Sequence, residues 1–285
     1  MAGSAVRVED SGAVRSLVLC RPEEFNTITP ELRDELSAAL DDADRDHDVR
    51  VVLLRAEGRA FCAGFGLDWS TVAQSGESGE RAWDSMADMR MIGRFADTWA
   101  KLFELSKPTI AAVQGWCIAG GTDMVLNADV IIAGESASFG YPPARVWGIP
   151  EAPWLWVARL GLERAKRYLL TGDEIPAPEA AAAGLVLEVV PDDELLERAT
   201  ALARRMAMLP LNQLQMLKLA CNEVARRAYE PDASRLLGCF LDGVARHTQE
   251  GVDFVKRAQE VGWRDVVRER DAPFGDYGAR PRQEK

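Results

Sequence analysis

Apolar residues along this chain fall into short continuous runs and into stripes at helical spacing. The switches between the two lay out the elements. Val14–Leu19 reads as a strand. Thr29-Pro30-Glu31 opens a helix: Thr caps, Pro fits the first turn and Glu faces the positive end. Leu32, Leu36, Leu40 and Ala43 line one face of that helix to Asp44. Val49–Arg55 is rich in β-branched residues and predicts a buried strand, followed by a turn at Ala56–Arg59. Strand, helix, strand in this order predicts a β-α-β unit and a largely parallel sheet. Thr71–Glu80 is a polar loop. Arg81–Leu105 is a long helix carrying Trp83, Met86, Met91, Phe95, Trp99, Leu102 and Phe103, closed by Pro108. Thr109–Gln114 is a strand, Gly120–Asn127 a helix and Val130–Ala133 a short strand. Ala137–Tyr141 leads toward the active-site region.

Beyond Gly172 the pattern changes. Pro178–Ala183 is a short helix ended by Gly184, and Val186–Val190 is a strand closed by Pro191. Three helical stretches follow, Asp193–Leu209, Leu211–Ala228 and Asp232–Arg246, separated by Pro210 and Pro231. Leu195, Ala199, Leu202 and Met206 form one stripe, and Leu214, Leu217, Cys221 and Val224 another. Both are too apolar for solvent, so they pack on the first part of the chain or on another subunit. The organisation expected is a core over residues 1–191, a helical region over 192–272 and a flexible tail over 273–285.

Composition narrows the function. The 285 residues are 47% apolar, ordinary for a soluble globular protein. No apolar run reaches membrane-spanning length, and the N-terminal residues lack a secretory signal, so a cytoplasmic protein is expected. The 34 basic and 45 acidic side chains leave a formal charge of −11, which opposes nucleic acid as a partner. Five cysteines, odd in number and widely spaced, read as reduced core thiols. Two histidines exclude a His-rich metal site, and both His47 and His247 read as surface residues. Seven of the eight Trp lie between Trp69 and Trp156, which points to a large aromatic core or an apolar acyl pocket.

Two segments carry chemistry. In Ala60–Gly64, AFCAG, small residues follow a strand and let a ligand approach the backbone; the Ala63 N–H is one candidate donor. In Gly115–Asp129, GWCIAGGTDMVLNAD, a strand runs into a helix, and the Gly120 N–H at that helix start has no intrahelical partner. Two such donors aimed at one oxygen make an oxyanion hole. Asp123, in the first turn, is a carboxylate available to a substrate or to the helix dipole.

With those motifs the chain resembles the enoyl-CoA hydratase/isomerase (crotonase) superfamily. The likeness runs from about Val14 to Arg257. It rests on RPEEFNTIT at Arg21–Thr29, AFCAG, the Gly-rich block, PPARVWGIP and QEGVDFVKR at Gln249–Arg257. It implies an α/β spiral of ββα units with a helical C-terminal trimerisation region, assembly into trimers or hexamers, and acyl-CoA thioesters as substrates. Coenzyme A is then part of the substrate, and no separate cofactor is implied. The thioester oxygen would be held by Ala63 and Gly120. Of the two Glu that hydratases use, one falls at Asp123 and the other at Pro143, which transfers no proton. Glu151, where an isomerase of the superfamily has Asp, is the compensating carboxylate. Asp68 stands two residues beyond the usual Asp position. Arg145 is either a pocket group or the ion-pair partner of Asp123 or Glu151. Arg21, Cys62, Gly64, Lys256 and Arg257 are the candidates for coenzyme A, while Phe25 replaces a residue that is often basic. The activity so implied is a hydratase-like lyase acting on 2-enoyl-CoA. The alternatives are a double-bond isomerase, a non-catalytic acyl-CoA-binding homologue, or an enzyme cleaving cyclic β-diketones without coenzyme A.

Overall fold

The computed structural model describes residues 3–67 and 85–277. The loop expected at Thr71–Glu80, together with Asp68 and Trp83, lies outside them. The chain opens on an antiparallel hairpin of β1 (Val6–Ser11) and β2 (Val14–Leu19), in which Val6 pairs with Leu19. The hydrophobic pattern does not announce β1, because only Val6 of its residues is buried. Its pairing across Gly12, at φ +61°, makes it a strand. α1 (Pro30–Arg45) starts at the foreseen cap: the Thr29 hydroxyl accepts from Leu32 N–H at 3.2 Å. Leu32, Leu36, Leu40 and Ala43 are all buried.

Strand pairs then repeat. β3 (Val51–Ala56) is followed by β4 (Ala60–Cys62), and the described part of the long helix, α2 (Ser85–Glu104), comes next. β5 (Thr109–Val113) and β6 (Trp116–Ile118) are followed by α3 (Gly120–Leu126). β7 (Val130–Gly134) and β8 (Ser138–Gly140) lead to α4 (Pro153–Leu160) and α5 (Leu162–Leu169). The first strand of each pair joins a sheet ordered β1-β2-β3-β5-β7, and the second joins a sheet ordered β4-β6-β8. Within the repeats the strands are parallel. This is the spiral of ββα units that the resemblance implied. The corner between β5 and β6 is tight. Gly115 adopts φ +55°, and a Cβ there would lie 1.9 Å from the Arg59 carbonyl oxygen.

β9 (Ile175–Pro176) closes the smaller sheet antiparallel to β8. After α6 (Ala177–Ala183), β10 (Glu188–Val190) extends the larger sheet beside β7. α7 (Leu195–Met206) lays Leu195, Ala199 and Ala203 over Val14, Val51, Leu53 and Ile110. The segment after residue 191 thus begins by covering one face of the larger sheet. The main core includes Leu17, Leu54, Phe61, Trp99, Phe139 and Trp156. α8 (Leu211–Tyr229) and α9 (Pro231–Ala245) follow, and α9 packs along α2.

Four helices are not among the elements predicted from the sequence: α4, α5, α10 (Gln249–Val261) and α11 (Trp263–Asp271). In α4 the run Trp154, Leu155, Trp156 is buried all round and shows no amphipathic stripe. α10 and α11 gather Phe254, Val255, Ala258 and Val266 around Trp147. The chain also stays packed past Pro273, where a flexible tail was expected to begin. Asp276 and Tyr277 are buried, and of the expected tail, residues 278–285 lie outside the described part.

Candidate active site

The ends of β4 and β6 are brought into contact by a glycine. Gly64 adopts φ +87°, and a Cβ there would sit 2.9 Å from Ala119 Cβ and 3.2 Å from the Ile118 carbonyl oxygen. Only glycine tolerates both the angle and the approach. The Phe65 ring then lies against Gly120, whose added Cβ would meet Phe65 Cε2 at 2.6 Å. Ala119 caps α3 at φ 54°, a costly conformation for a residue with a Cβ. Its N–H is held by Gly140 O at 2.9 Å.

The Ala63 N–H does not face this junction as a donor, because it is bound to the Phe25 carbonyl at 3.1 Å. That contact removes the first of the two donors expected from the sequence. The peptide two residues on has the suitable direction. Gly64 O accepts from Ile28 N–H at 2.8 Å, and Gly66 N–H donates to Ile28 O at 3.0 Å. In a trans peptide the carbonyl and the following N–H point opposite ways, so Phe65 N–H is directed away from Ile28. The Gly120 N–H opens α3, where no earlier turn supplies a carbonyl.

These groups line a cavity of about 130 Å³. Phe65, Ile118, Tyr141, Pro143 and Trp147 give it apolar walls, and Glu151, Asp242, Arg246 and Arg270 give it charge, Arg270 being paired with Asp271. A larger cleft of about 1040 Å³ lies between α2 and α9, where Arg33 pairs with Asp34, and Arg235 with Asp97 and Asp232. The smaller cavity holds a buried carboxyl group, that of Glu151. Glu151 is 2% exposed, and neither of its carboxyl oxygens has a hydrogen-bond partner among the described residues. Burial is the main cause that raises its pKa well above the usual carboxylate range; the nearby Asp123 and Asp242 add to it and Arg246 opposes. The Trp99 indole favours the charged form without reaching hydrogen-bond geometry.

Asp123 stands behind Glu151 and does not line the cavity. Its Oδ1 accepts from Trp156 Nε1 at 3.1 Å and its Oδ2 from Glu151 N–H at 3.3 Å. Burial pushes its pKa up to about 7, against those two donors. The two carboxylates expected together are therefore together: both border a second, smaller cavity, and only Glu151 also reaches the first. Pro143 lines the cavity and offers no proton.

Other candidates lie elsewhere. Arg145 binds Asp276 at 2.7 and 2.8 Å and Asp271 at 3.0 Å, so it secures the C-terminal segment and pairs with neither Asp123 nor Glu151. Arg21 is buried and engaged with Glu31 and the Gly3 carbonyl. Arg257 is exposed and paired with Glu260 and Glu269. Both arginines are thus taken up by partners within the chain. Cys62 is fully buried, its thiol pushed up to about 12 by burial, and it does not line the cavity. Lys256 is exposed on α10. His247 is not a plain surface residue, since it is half-buried and paired with Asp88. Asp242 and Arg246 went unnoticed in the sequence. They form a buried pair, Arg246 Nε to Asp242 Oδ2 at 3.0 Å, and their four-residue spacing on one helix face was the available signal. Among the described residues no His, Cys, Asp and Glu cluster suits a metal ion, and no helix is long and apolar enough to cross a membrane.

Residues 9–263 match the enoyl-CoA hydratase/isomerase family. A probable enoyl-CoA hydratase of Mycobacterium bovis is 31% identical over 82% of this chain and 86% of its own. The 1,2-epoxyphenylacetyl-CoA isomerase of Escherichia coli is 32% identical over 80% of this chain and 88% of its own. The crystal structure of an enoyl-CoA hydratase from Mycobacterium smegmatis superposes with a TM-score of 0.91 at 41% identity, covering 98% of this chain and 97% of that one.

Proposed function

The chain belongs to the enoyl-CoA hydratase/isomerase family, and on that premise we propose that it is a hydratase-like lyase adding water to 2-enoyl-CoA thioesters. One observation carries the reading: an unpaired, buried Glu151 carboxyl lines the same cavity as the backbone of Phe65 and Gly120. The thioester oxygen accepts from Gly120 N–H and, in place of Ala63, from Phe65 N–H. Negative charge that develops on that oxygen as the enolate forms is then met by fixed dipoles in a dry site. Glu151 transfers the proton, and its raised pKa suits a group that must both take and give one near neutral pH. Asp123 acts through Glu151: it holds the Glu151 N–H, and its negative charge raises the Glu151 pKa.

Coenzyme A enters as part of the substrate. Gly64 keeps the backbone open where the thioester passes, and the exposed Lys256 is the phosphate contact of this proposal. We further propose a homotrimer or hexamer. On α9, Leu236, Leu237, Phe240 and Leu241 are exposed together, and α8 adds Leu217 and Val224.

Double-bond isomerisation is the second reading, and Pro143 favours it: water addition through two carboxylates on the substrate loses one of them there, whereas shifting a double bond needs a single proton carrier. The test is turnover of 2-enoyl, 3-enoyl and 2,4-dienoyl thioesters followed by mass spectrometry. A mass gain of one water on the 2-enoyl substrate supports the hydratase. Migration of the double bond with no mass gain supports the isomerase. Binding with no turnover of any thioester rejects both.

A further inference from the structure

Among the described residues the Glu151 carboxyl has no hydrogen-bond partner, so its position rests on the backbone that carries it. That backbone is gripped from one side by a single stripe of α9. Ser234 Oγ accepts from Trp154 N–H at 3.1 Å. One turn on, Gly238 meets the next stretch of the segment: a Cβ there would lie 2.5 Å from Pro150 O and 2.8 Å from Glu151 O. Another turn on, Asp242 Oδ1 accepts from Ile149 N–H at 3.3 Å, while its Oδ2 is fixed by Arg246 Nε at 3.0 Å. Residues 234, 238, 242 and 246 recur every four positions and so share one face of the helical path. From the opposite side, Asp123 takes the Glu151 N–H. Residues 149, 150, 151 and 154 are thus each held, and of the segment 149–154 only Glu151 lines the cavity.

We propose that Gly238 and Asp242 are positioning residues that set the reach of Glu151 into the cavity, which makes α9 a working part of the active site. This rests on the reading that Glu151 moves the proton. Gly238 supplies the close approach, since any side chain there must push the Pro150–Glu151 backbone. Asp242 supplies direction, since it fixes the N–H two residues before Glu151. The charged and titratable groups facing Glu151 among the described residues are Asp123 from α3 and Asp242 and Arg246 from the α9 stripe, with Tyr141 and Cys239 nearby.

The experiment compares Gly238→Ala, Asp242→Ala, Asp242→Asn and Glu151→Gln in steady-state turnover of the best thioester across pH. Misplacing a reacting group by about an ångström costs on the order of 100-fold. Gly238→Ala and Asp242→Ala are expected to lower kcat roughly 10- to 100-fold while KM stays within about threefold. Asp242→Asn still accepts the Ile149 N–H, so it is expected to keep most of the kcat that Asp242→Ala loses. It also moves the Glu151 limb of the pH–rate profile downward, because a nearby negative charge is gone. A merely structural helix would show lowered melting temperatures with kcat unchanged below them, and that result overturns the inference. If Gly238→Ala does not fold, the Asp242 pair decides: equal kcat in its Ala and Asn forms, with no shift of the limb, overturns it as well. Undiminished turnover in Glu151→Gln instead removes the underlying reading, so the two failures are distinguishable.

Discussion

Glu151 is the residue where stability and activity are expected to oppose each other. A carboxyl at an ordinary pKa in the unfolded chain and well above it in the folded one binds its proton more tightly when folded. As pH rises from about 4.5 through the folded value, the unfolded chain loses that proton first, and stability falls across the window. Glu151→Gln abolishes the charge and breaks no hydrogen bond. It is expected to melt higher than the unmodified protein at pH 8, with the difference fading toward pH 4.5, while kcat drops roughly 10²- to 10⁴-fold. Parallel thermal melts and rate assays at both pH values check this; equal melting at pH 8 contradicts the raised pKa. The oxyanion hole gives a second residue-scale prediction. Gly120→Pro removes the N–H and pushes the Phe65 ring aside, and loss of at least one such donor lowers kcat about 10²- to 10³-fold. Circular dichroism must show the fold intact for that result to count. At this scale the local motif pointed to Gly120 and Asp123 and the family resemblance to Glu151, and the structure sets Asp123 behind a cavity that Gly120 and Glu151 line. In the proposed oxyanion hole the partner donor moves from Ala63 to Phe65. Which peptide faces a cavity depends on the Ala63–Phe25 bond and the Ile28 bridge, both made across sequence separations that no local motif encodes.

At the scale of elements, intrinsic signals held where an element carries its own pattern. α1 shows this best, with its cap and its four-position stripe, and Thr29→Ala is expected to cost about 1 kcal/mol. A urea midpoint shift with unchanged slope measures it, and no shift would mean the cap adds nothing. β1 and α4 show the opposite. β1 exposes most of its residues and exists through pairing, whereas α4 buries nearly its whole first turn, so neither has a period to read. α9 was legible as a helix, but the purpose of its inner face was not. Ser234, Gly238 and Asp242 look like ordinary polar and small residues until residues 149–154 are laid across them.

For the whole molecule, the exposed apolar face of α8 and α9 predicts assembly. Sedimentation equilibrium at micromolar concentration is expected to give a trimer or hexamer, and a monomer would remove that proposal. On these proposals assembly and chemistry would share α9, which exposes Leu237 and Leu241 while Asp242 and Gly238 meet the Glu151 segment. The spiral itself serves one end: it stacks β4 and β6 so that Phe65 and Gly120 meet beside Glu151. The most direct measurement of this account is hydrogen exchange at the α-carbon of a bound acyl-CoA thioester in deuterated water, followed by NMR. The account predicts deuterium at that carbon with the unmodified protein, a loss of roughly 10²-fold or more in Glu151→Gln, and a smaller loss with a shifted pH profile in Asp123→Asn. Exchange at the same rate in Glu151→Gln, or no exchange with any thioester that binds, would contradict it.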